Sequence, residues 1–320
     1  MLLPLVAAVT LSPSDIDVAF SARYYFEGKK KSYPHLYVCR HDGTHRQQLT
    51  FGTMSTMSQA WLDHNHLAYV EVQEKQGPYR PTDSWKARVV VIDLKTKRKR
   101  TLFNGKVNPD WTTINQDTMT INLNDKDYKI SVDRVTVLPK TPDTYDQFGG
   151  STGDTGDPRS KAQIATTASS PAYTLYWTQA EGDDLKDATN GLQITSQGIT
   201  KHFTVKLGTI QRAKPVGQNE LYVDSAPWYQ KLNCTNFLYR LDFAKGTSTL
   251  LVTDAGRLEV DIKQNLWLGC QTESQKLLKL KDGRQVYVQF LYAGNWKEGK
   301  RWRIADGLVC VYDYHLRPTK

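Results

Sequence analysis

Residues 11–20 read LSPSDIDVAF, residues 36–38 read LYV, and residues 42–50 read DGTHRQQLT. Ser12-Pro13-Ser14-Asp15 is turn chemistry, and Val18-Ala19-Phe20 is the start of a strand. Leu36-Tyr37-Val38 is a second apolar strand. Asp42-Gly43-Thr44-His45 is a hairpin turn leading into a closing strand that ends Leu49-Thr50. The same order returns immediately. Ala60-Trp61-Leu62 runs into the turn Asp63-His64-Asn65, then Leu67-Ala68-Tyr69-Val70, then Val89–Leu94 and a final strand reaching Phe103. Each unit is therefore a strand, a turn, an apolar strand, a gap, another apolar strand, a short turn and a last strand.

The rest of the chain keeps this rhythm. Short apolar runs occur at Met119–Leu123, Thr174–Trp177, Leu221–Asp224, Phe237–Leu241, Leu266–Gly269 and Val286–Leu291, with polar turns between them. Few segments keep an apolar i, i+3, i+4, i+7 pattern beyond two turns, so the chain reads as all-β. Further copies begin near Asn108, Ile164, Ile210 and Arg257, about 50 residues apart, a spacing that marks stacked or radial repeats. The Ser-Pro-Ser-Asp turn, the Val-Ala-Phe strand and the Asp-Gly-Thr-His-Arg-Gln-Gln-Leu-Thr close resemble the TolB-like β-propeller repeat over residues 8–103. Blade three replaces the motif with Thr113-Ile114-Asn115-Gln116-Asp117, and blades four to six keep only the rhythm. The resemblance implies one propeller domain over 1–320 with four-stranded antiparallel blades. Six blades are expected and seven are possible, depending on whether Leu308–Tyr314 closes the ring beside the N-terminal strand or opens a further blade. Closure is the expectation. The resemblance also implies protein-interaction modules of the bacterial envelope, hence a periplasmic or extracellular place, with the cytoplasm left open.

Composition fits and excludes. The apolar share is 39%, against about 45–50% for globular chains counted with Gly, and 17 Tyr, 9 Phe and 8 Trp add bulk. A core can form, so wholesale disorder is excluded. No run approaches the ~18 apolar residues of a membrane-spanning helix. Leu2–Leu11 has the look of a signal-peptide core but lacks a preceding Lys or Arg, and is read as a first strand. Lys and Arg exceed Asp and Glu by nine, which favours anionic partners. The densest basic run, Lys95–Arg100 (KTKRKR), has no interleaved aromatics. It is read as a solvated hairpin, and a nucleic-acid partner is not expected. Cys39, Cys234, Cys270 and Cys310 lack zinc-ligand spacing; Cys39 and Cys310 read as small buried residues, and a Cys234–Cys270 disulfide stays open.

In a blade whose strands run A to D outward, A–B and C–D turns fall on one face, and B–C loops and crossings on the other. The long segments collect in the second set: Tyr24–Pro34, Gln73–Lys86, Gln179–Asn190, Ala226–Asn236 and the crossing Pro139–Lys161. A–B turns read as brief, including Ser169–Pro171. Insertions gathered on one face mark a binding face. Tyr24, Tyr25, Tyr33, Tyr79, Arg80, Trp85, Trp228 and Tyr229 are the candidate binding residues, expected on exposed loops, where aromatics and Arg make interface anchors and stack on sugars.

Catalytic signals are weak. Gly149-Gly150-Ser151-Thr152-Gly153 matches G-x-S-x-G, but loop composition replaces the strand and helix that a nucleophile elbow needs. Asp143, Asp146, Asp154 and Asp157 could hold Ca²⁺ without the ordered ligand pattern. The pairs His41/His45 and His64/His66 fall in turns and read as solvated. Asn233-Cys234-Thr235 fits a glycosylation acceptor. No catalytic or metal residue is assigned and no cofactor is expected beyond that Ca²⁺. The leading reading is a monomeric, non-catalytic propeller capturing a protein, peptide or glycan. The alternative is a polysaccharide- or peptide-acting hydrolase or lyase at the axial channel.

Overall fold

The computed structural model describes residues 16–319 apart from 27, 28, 30, 74–84, 108–112, 117, 125, 140–159, 165–171, 178–188, 207–208, 227–235, 273–277, 287 and 306–308. Among the described residues every regular element is a strand. The chain opens with β1 (Val18–Tyr24), β2 (His35–Cys39) and β3 (Gln47–Gln48). Next come β4 (Ser55–Trp61), β5 (His66–Val72), β6 (Trp85–Asp93) and β7 (Lys99–Val107). A third set is β8 (Ile114–Asn115), β9 (Thr120–Asn122), β10 (Asp127–Ile130) and β11 (Val135–Val137). A fourth is β12 (Ser160–Ile164), β13 (Tyr173–Trp177), β14 (Thr189–Ser196) and β15 (Ile199–Lys206). Then follow β16 (Thr209–Val216), β17 (Glu220–Ala226), β18 (Asn236–Asp242) and the long β19 (Thr247–Asp261). The chain ends with β20 (Leu266–Thr272), β21 (Leu278–Lys279), β22 (Gln285–Val286), β23 (Gln289–Asn295), β24 (Lys300–Ala305) and β25 (Val309–Leu316).

The chain divides into two compact units. The first holds residues 1–141, 259–268 and 272–320. In it β4–β7 and β8–β11 are four-stranded antiparallel meanders in chain order. The first sheet has the order β25-β1-β2-β3, so the C-terminal strand pairs with β1, from Val18 opposite Leu316 to Tyr24 opposite Val309. The C-terminal strand thus lies beside an N-terminal one, as expected. The residues read as a first strand, Leu2–Leu11, lie outside the described set. The end of β19 leads into β20, β23 and β24. The second unit, residues 142–258 and 269–271, holds β12–β15 and the run β16 to β19.

Alternation explains the continuous apolar runs of β5 and β6. Successive strand residues point to opposite faces. Leu67, Tyr69, Val90 and Ile92 pack against Ala19, Leu36 and Val38 of the first sheet. Their neighbours Ala68, Val70, Val72, Val89 and Val91 pack against Ile114, Ile121 and Ile130 of the third. A sheet covered on both sides has no polar face, and each such side chain contributes about 1.5–3 kcal/mol on burial. In the second unit, Tyr173, Leu175, Trp177, Leu192 and Ile194 meet Ile210, Leu221, Val223, Tyr239 and Leu241 in the same manner.

One sequence expectation is corrected at this level. The run Val286–Leu291 is not one strand: β22 ends at Val286 and β23 starts at Gln289. The Ser169–Pro171 turn lies outside the described residues.

The Asp-Gly-Thr-His turn has a packing reason as well as a conformational one. Gly43 has φ of +79°, and a Cβ there would lie 2.9 Å from the Arg303 carbonyl oxygen on β24. Asp42 accepts hydrogen bonds from the Thr44 N–H at 2.9 Å and its hydroxyl at 2.6 Å. Gly299, by contrast, has φ of +65° with open space around it. Gly43→Ala is expected to lose about 1–3 kcal/mol of stability, and Gly299→Ala clearly less, because only the former adds a backbone clash to left-handed strain. Urea unfolding of the two variants beside the parent checks this.

Candidate functional site

In these meanders the connectors after second strands emerge at the same end of each sheet. In the first unit that end carries the connector from β1 to β2, the one from β5 to β6 and the one from β20 to β23. Turns at the other end are short, such as Leu62–Asn65 and Trp296–Gly299. The connector from β20 to β23 contains a hairpin of its own, β21 with β22, pairing Leu278 with Val286 and Lys279 with Gln285. Its two-residue strands are too short to show alternation in the sequence.

Of the eight candidate residues, four are described. Tyr25 and Tyr33 lie on the β1–β2 connector and are half-buried. Tyr25 packs on Leu280, Val286, Val288 and Phe290 beneath the hairpin. Burial pushes its hydroxyl pKa up, with the Cys310 thiol adding to it. Tyr24 and Trp85 are not loop residues, which corrects their expected placement. Tyr24 ends β1, its ring stands edge-on to Tyr37 at 5.3 Å, and its hydroxyl accepts from the Arg46 guanidinium at 3.1 Å. Trp85 begins β6, pairs with Val107 and packs on the core between the second and third sheets. The strands simply extend further toward this end than the alternation indicated. Tyr79, Arg80, Trp228 and Tyr229 lie outside the described residues, as do the Gly149–Gly153 stretch, the four-Asp loop, and Cys234 of the open disulfide.

The other polar feature of the first unit is a buried cluster that sequence reading missed. His315 on β25 is 1% exposed; its Nε2 lies 3.3 Å from Asp313 Oδ2 and its Nδ1 3.5 Å from Glu259 Oε1. The same Asp313 oxygen accepts from the Ser58 hydroxyl at 2.7 Å and the Gln59 N–H at 3.3 Å. Gln59 in turn takes the Ser21 hydroxyl. Alternating positions on β25 and β4 face each other here, a pairing invisible without the fold. Burial works against charge on His315, but Asp313 and Glu259 outweigh it and raise its pKa to about 9. The imidazole is thus cationic at neutral pH. A serine nucleophile needs a neutral imidazole as its base. Here the bonding order is serine, aspartate, histidine, and the Ser58 oxygen also accepts the Ile114 N–H at 3.0 Å. The cluster ties β25 to β4 and to Glu259; it does not activate an oxygen.

Two of the four turn histidines, His41 and His66, are engaged by neighbouring carboxylates, while His45 is exposed as expected. His41 Nδ1 lies 2.6 Å from Asp17 Oδ2, its ring stands edge-on to Trp302 at 5.2 Å, and the Asp17 bond raises its pKa against the effect of burial. His66 Nδ1 lies 2.8 Å from Asp63 Oδ2. The basic run is also partly committed. Lys97 donates to Gln47 at 3.3 Å, Lys99 to the Leu49 carbonyl at 2.8 Å, and Arg100 pairs with Asp133 at 2.8 Å. Among the described residues no group of three His, Cys, Asp or Glu is arranged to hold a metal ion, and no helix is long and apolar enough to cross a membrane.

The four-stranded antiparallel meanders fit the blades of a β-propeller, the fold that the turn motif resembles. No family model and no curated protein matches the chain. Among solved structures it is similar to TolB from Acinetobacter baumannii, at 13% identity and TM-score 0.48, covering 95% of this chain and 67% of that one. It is also similar to a putative 6-phosphogluconolactonase from Bacteroides uniformis, at 10% identity and TM-score 0.40, covering 94% and 99%. A third is an oligogalacturonate lyase in complex with manganese, at 13% identity and TM-score 0.26, covering 89% and 61%. This chain spans well under half of two further neighbours, an isopeptidase and the tricorn protease.

The cluster has a pH signature. His315 and His41 both have folded pKa values above the ordinary 6.5, so their stabilisation is complete below about pH 6.5 and is lost as pH rises through the folded values, near 9 for His315. His35, whose pKa burial lowers, acts in the opposite sense and only on the acid side. Unfolding free energy measured from pH 6.5 to 9.5 is expected to fall, and His315→Gln to flatten that fall. Parallel profiles would remove the cluster as its source.

Proposed function

We propose that the chain is one six-bladed propeller, in which β19 serves two blades, and that it works as a monomeric, non-catalytic binding module. Its looped end captures a protein, peptide or glycan, in a periplasmic or extracellular setting. The observation that carries this reading is the asymmetry of the first unit: long connectors leave one end of its sheets everywhere but the third, where β9 turns tightly into β10, and a buried apolar floor lies under β21–β22. A rigid floor beneath irregular loops lowers the ordering cost of recognition. The bonding order around Ser58, Asp313 and His315 weighs against the hydrolase alternative.

The candidate residues divide accordingly. Tyr25, Tyr33, Tyr79, Arg80, Trp228 and Tyr229 are retained as binding residues, while Tyr24 and Trp85 support the strands beneath them. A glycan and peptide array probed with the full chain is expected to give a ligand class, and a Trp228→Ala/Tyr229→Ala variant to lose it at unchanged melting temperature. Trp85→Ala is expected instead to cost about 2–3 kcal/mol of stability, less than full burial of a Trp side chain would imply. Undiminished capture by the double variant would overturn the assignment.

A further inference from the structure

The looped end of the first unit carries a surface of definite chemistry. Phe26, on the connector after β1, is 54% exposed, and Leu278, on β21, is 42% exposed. The two segments bearing them are tied together. The Arg284 guanidinium donates to the Phe26 carbonyl at 2.7 Å and to Asp282 Oδ2 at 2.7 Å. Beneath, Tyr25 seats on the buried side chains of the hairpin. An exposed ring is therefore held on a fixed base. Among the described residues, Asp282 apart, the charges on these two segments are basic. The Lys29 ammonium lies 5.2 Å from the Phe26 ring centroid, and Arg303 stacks 3.6 Å over Phe290 of the floor. Lys31 and Lys279 are exposed on the same two segments, and the acid Asp282 is already paired with Arg284.

Single exposed apolar side chains are ordinary on protein surfaces and need no ligand. What distinguishes this pair is the combination of fixed apolar contacts with a basic rim whose acid is internally spent. Such a surface attracts a partner of opposite charge and anchors it by burying apolar area. We propose that the Phe26–Leu278 surface docks an acidic peptide segment carrying an apolar anchor residue. This rests on the binding-module reading and names the partner class for one part of the looped end. The aromatic face takes the anchor, and Lys29, Lys31 and Lys279 take flanking carboxylates. Attraction through exposed lysines is screened by salt, whereas the apolar contact is not.

The test uses the full chain and a fluorescein-labelled peptide of Asp and Glu flanking a central Trp-Leu pair, followed by fluorescence anisotropy. Binding is expected to weaken about tenfold or more with Phe26→Ser, with Lys29→Glu/Lys279→Glu, and when the Trp-Leu pair becomes Gly-Ser. Lys297→Glu, on a turn at the other end of the sheets, is expected to leave binding and folding unchanged. Absence of binding by the parent chain overturns the proposal. So does equal affinity for the Gly-Ser peptide, which would mean plain polyanion attraction. Tighter, Phe26-dependent binding to phosphatidylglycerol vesicles would also overturn it, by assigning the surface to lipid. If these variants bind normally while Trp228→Ala/Tyr229→Ala abolishes array capture, this docking surface fails and the binding-module reading stands. If the peptide behaves as expected and the array finds nothing, the docking surface and the binding-module reading stand and the Trp228/Tyr229 assignment fails.

Discussion

The pairing of β25 with β1 is the constraint on which the first unit depends. A sheet that began with β1 would present an open edge to water, with unpaired N–H and C=O groups along seven residues. β25 covers that edge along its whole length, and its side chains then lock in place. Arg317 donates from its backbone N–H to the Asp17 carbonyl and from its guanidinium to the Ile16 carbonyl, and it lies over the Trp61 ring. Asp313 and His315 reach β4. Removing one member of such a buried charged set leaves the others without compensation, so it specifies the pairing more than it adds stability. The long connectors can vary in size because this seam, and not the connectors, holds the sheets.

The excess of positive charge gains a structural meaning from the same contacts. Several cations are spent on aromatic faces: Arg23 over Tyr312, Arg46 over Tyr24, Lys99 over Tyr69, and Arg301 over Tyr292 and Trp267. Gly294 lets the Trp267 indole lie close, since a Cβ there would meet its Nε1 at 2.3 Å. Each contact is worth about 0.5–1 kcal/mol at exposed sites. Part of the basic composition thus serves to fasten side chains across neighbouring strands.

Much of the fold was legible. Residues 11–103 gave their strands, their turn glycine and the order of the sheet because alternation and turn chemistry are local signals. The apolar runs at Leu67–Val70 and Val89–Ile92 already indicated a sheet covered on both faces. The candidate site was legible only in outline. Connector length identified the end of the sheets, but whether Trp85 stood on a loop or in a strand depended on how far β6 extends, which no turn residue marks. The separate strands β21 and β22 escaped, although the Asp282-Gly283 turn between them was legible, because they are shorter than one alternation cycle. The Glu259–His315–Asp313 cluster escaped because its members are joined through space between positions far apart in the chain.

The order β25-β1-β2-β3 also carries a consequence for biogenesis. During synthesis β1 emerges before its complement β25, which comes last among the described strands. Until β25 follows, the nascent first sheet exposes a sticky, hydrogen-bond-hungry border, open to capture by a chaperone or by another nascent chain.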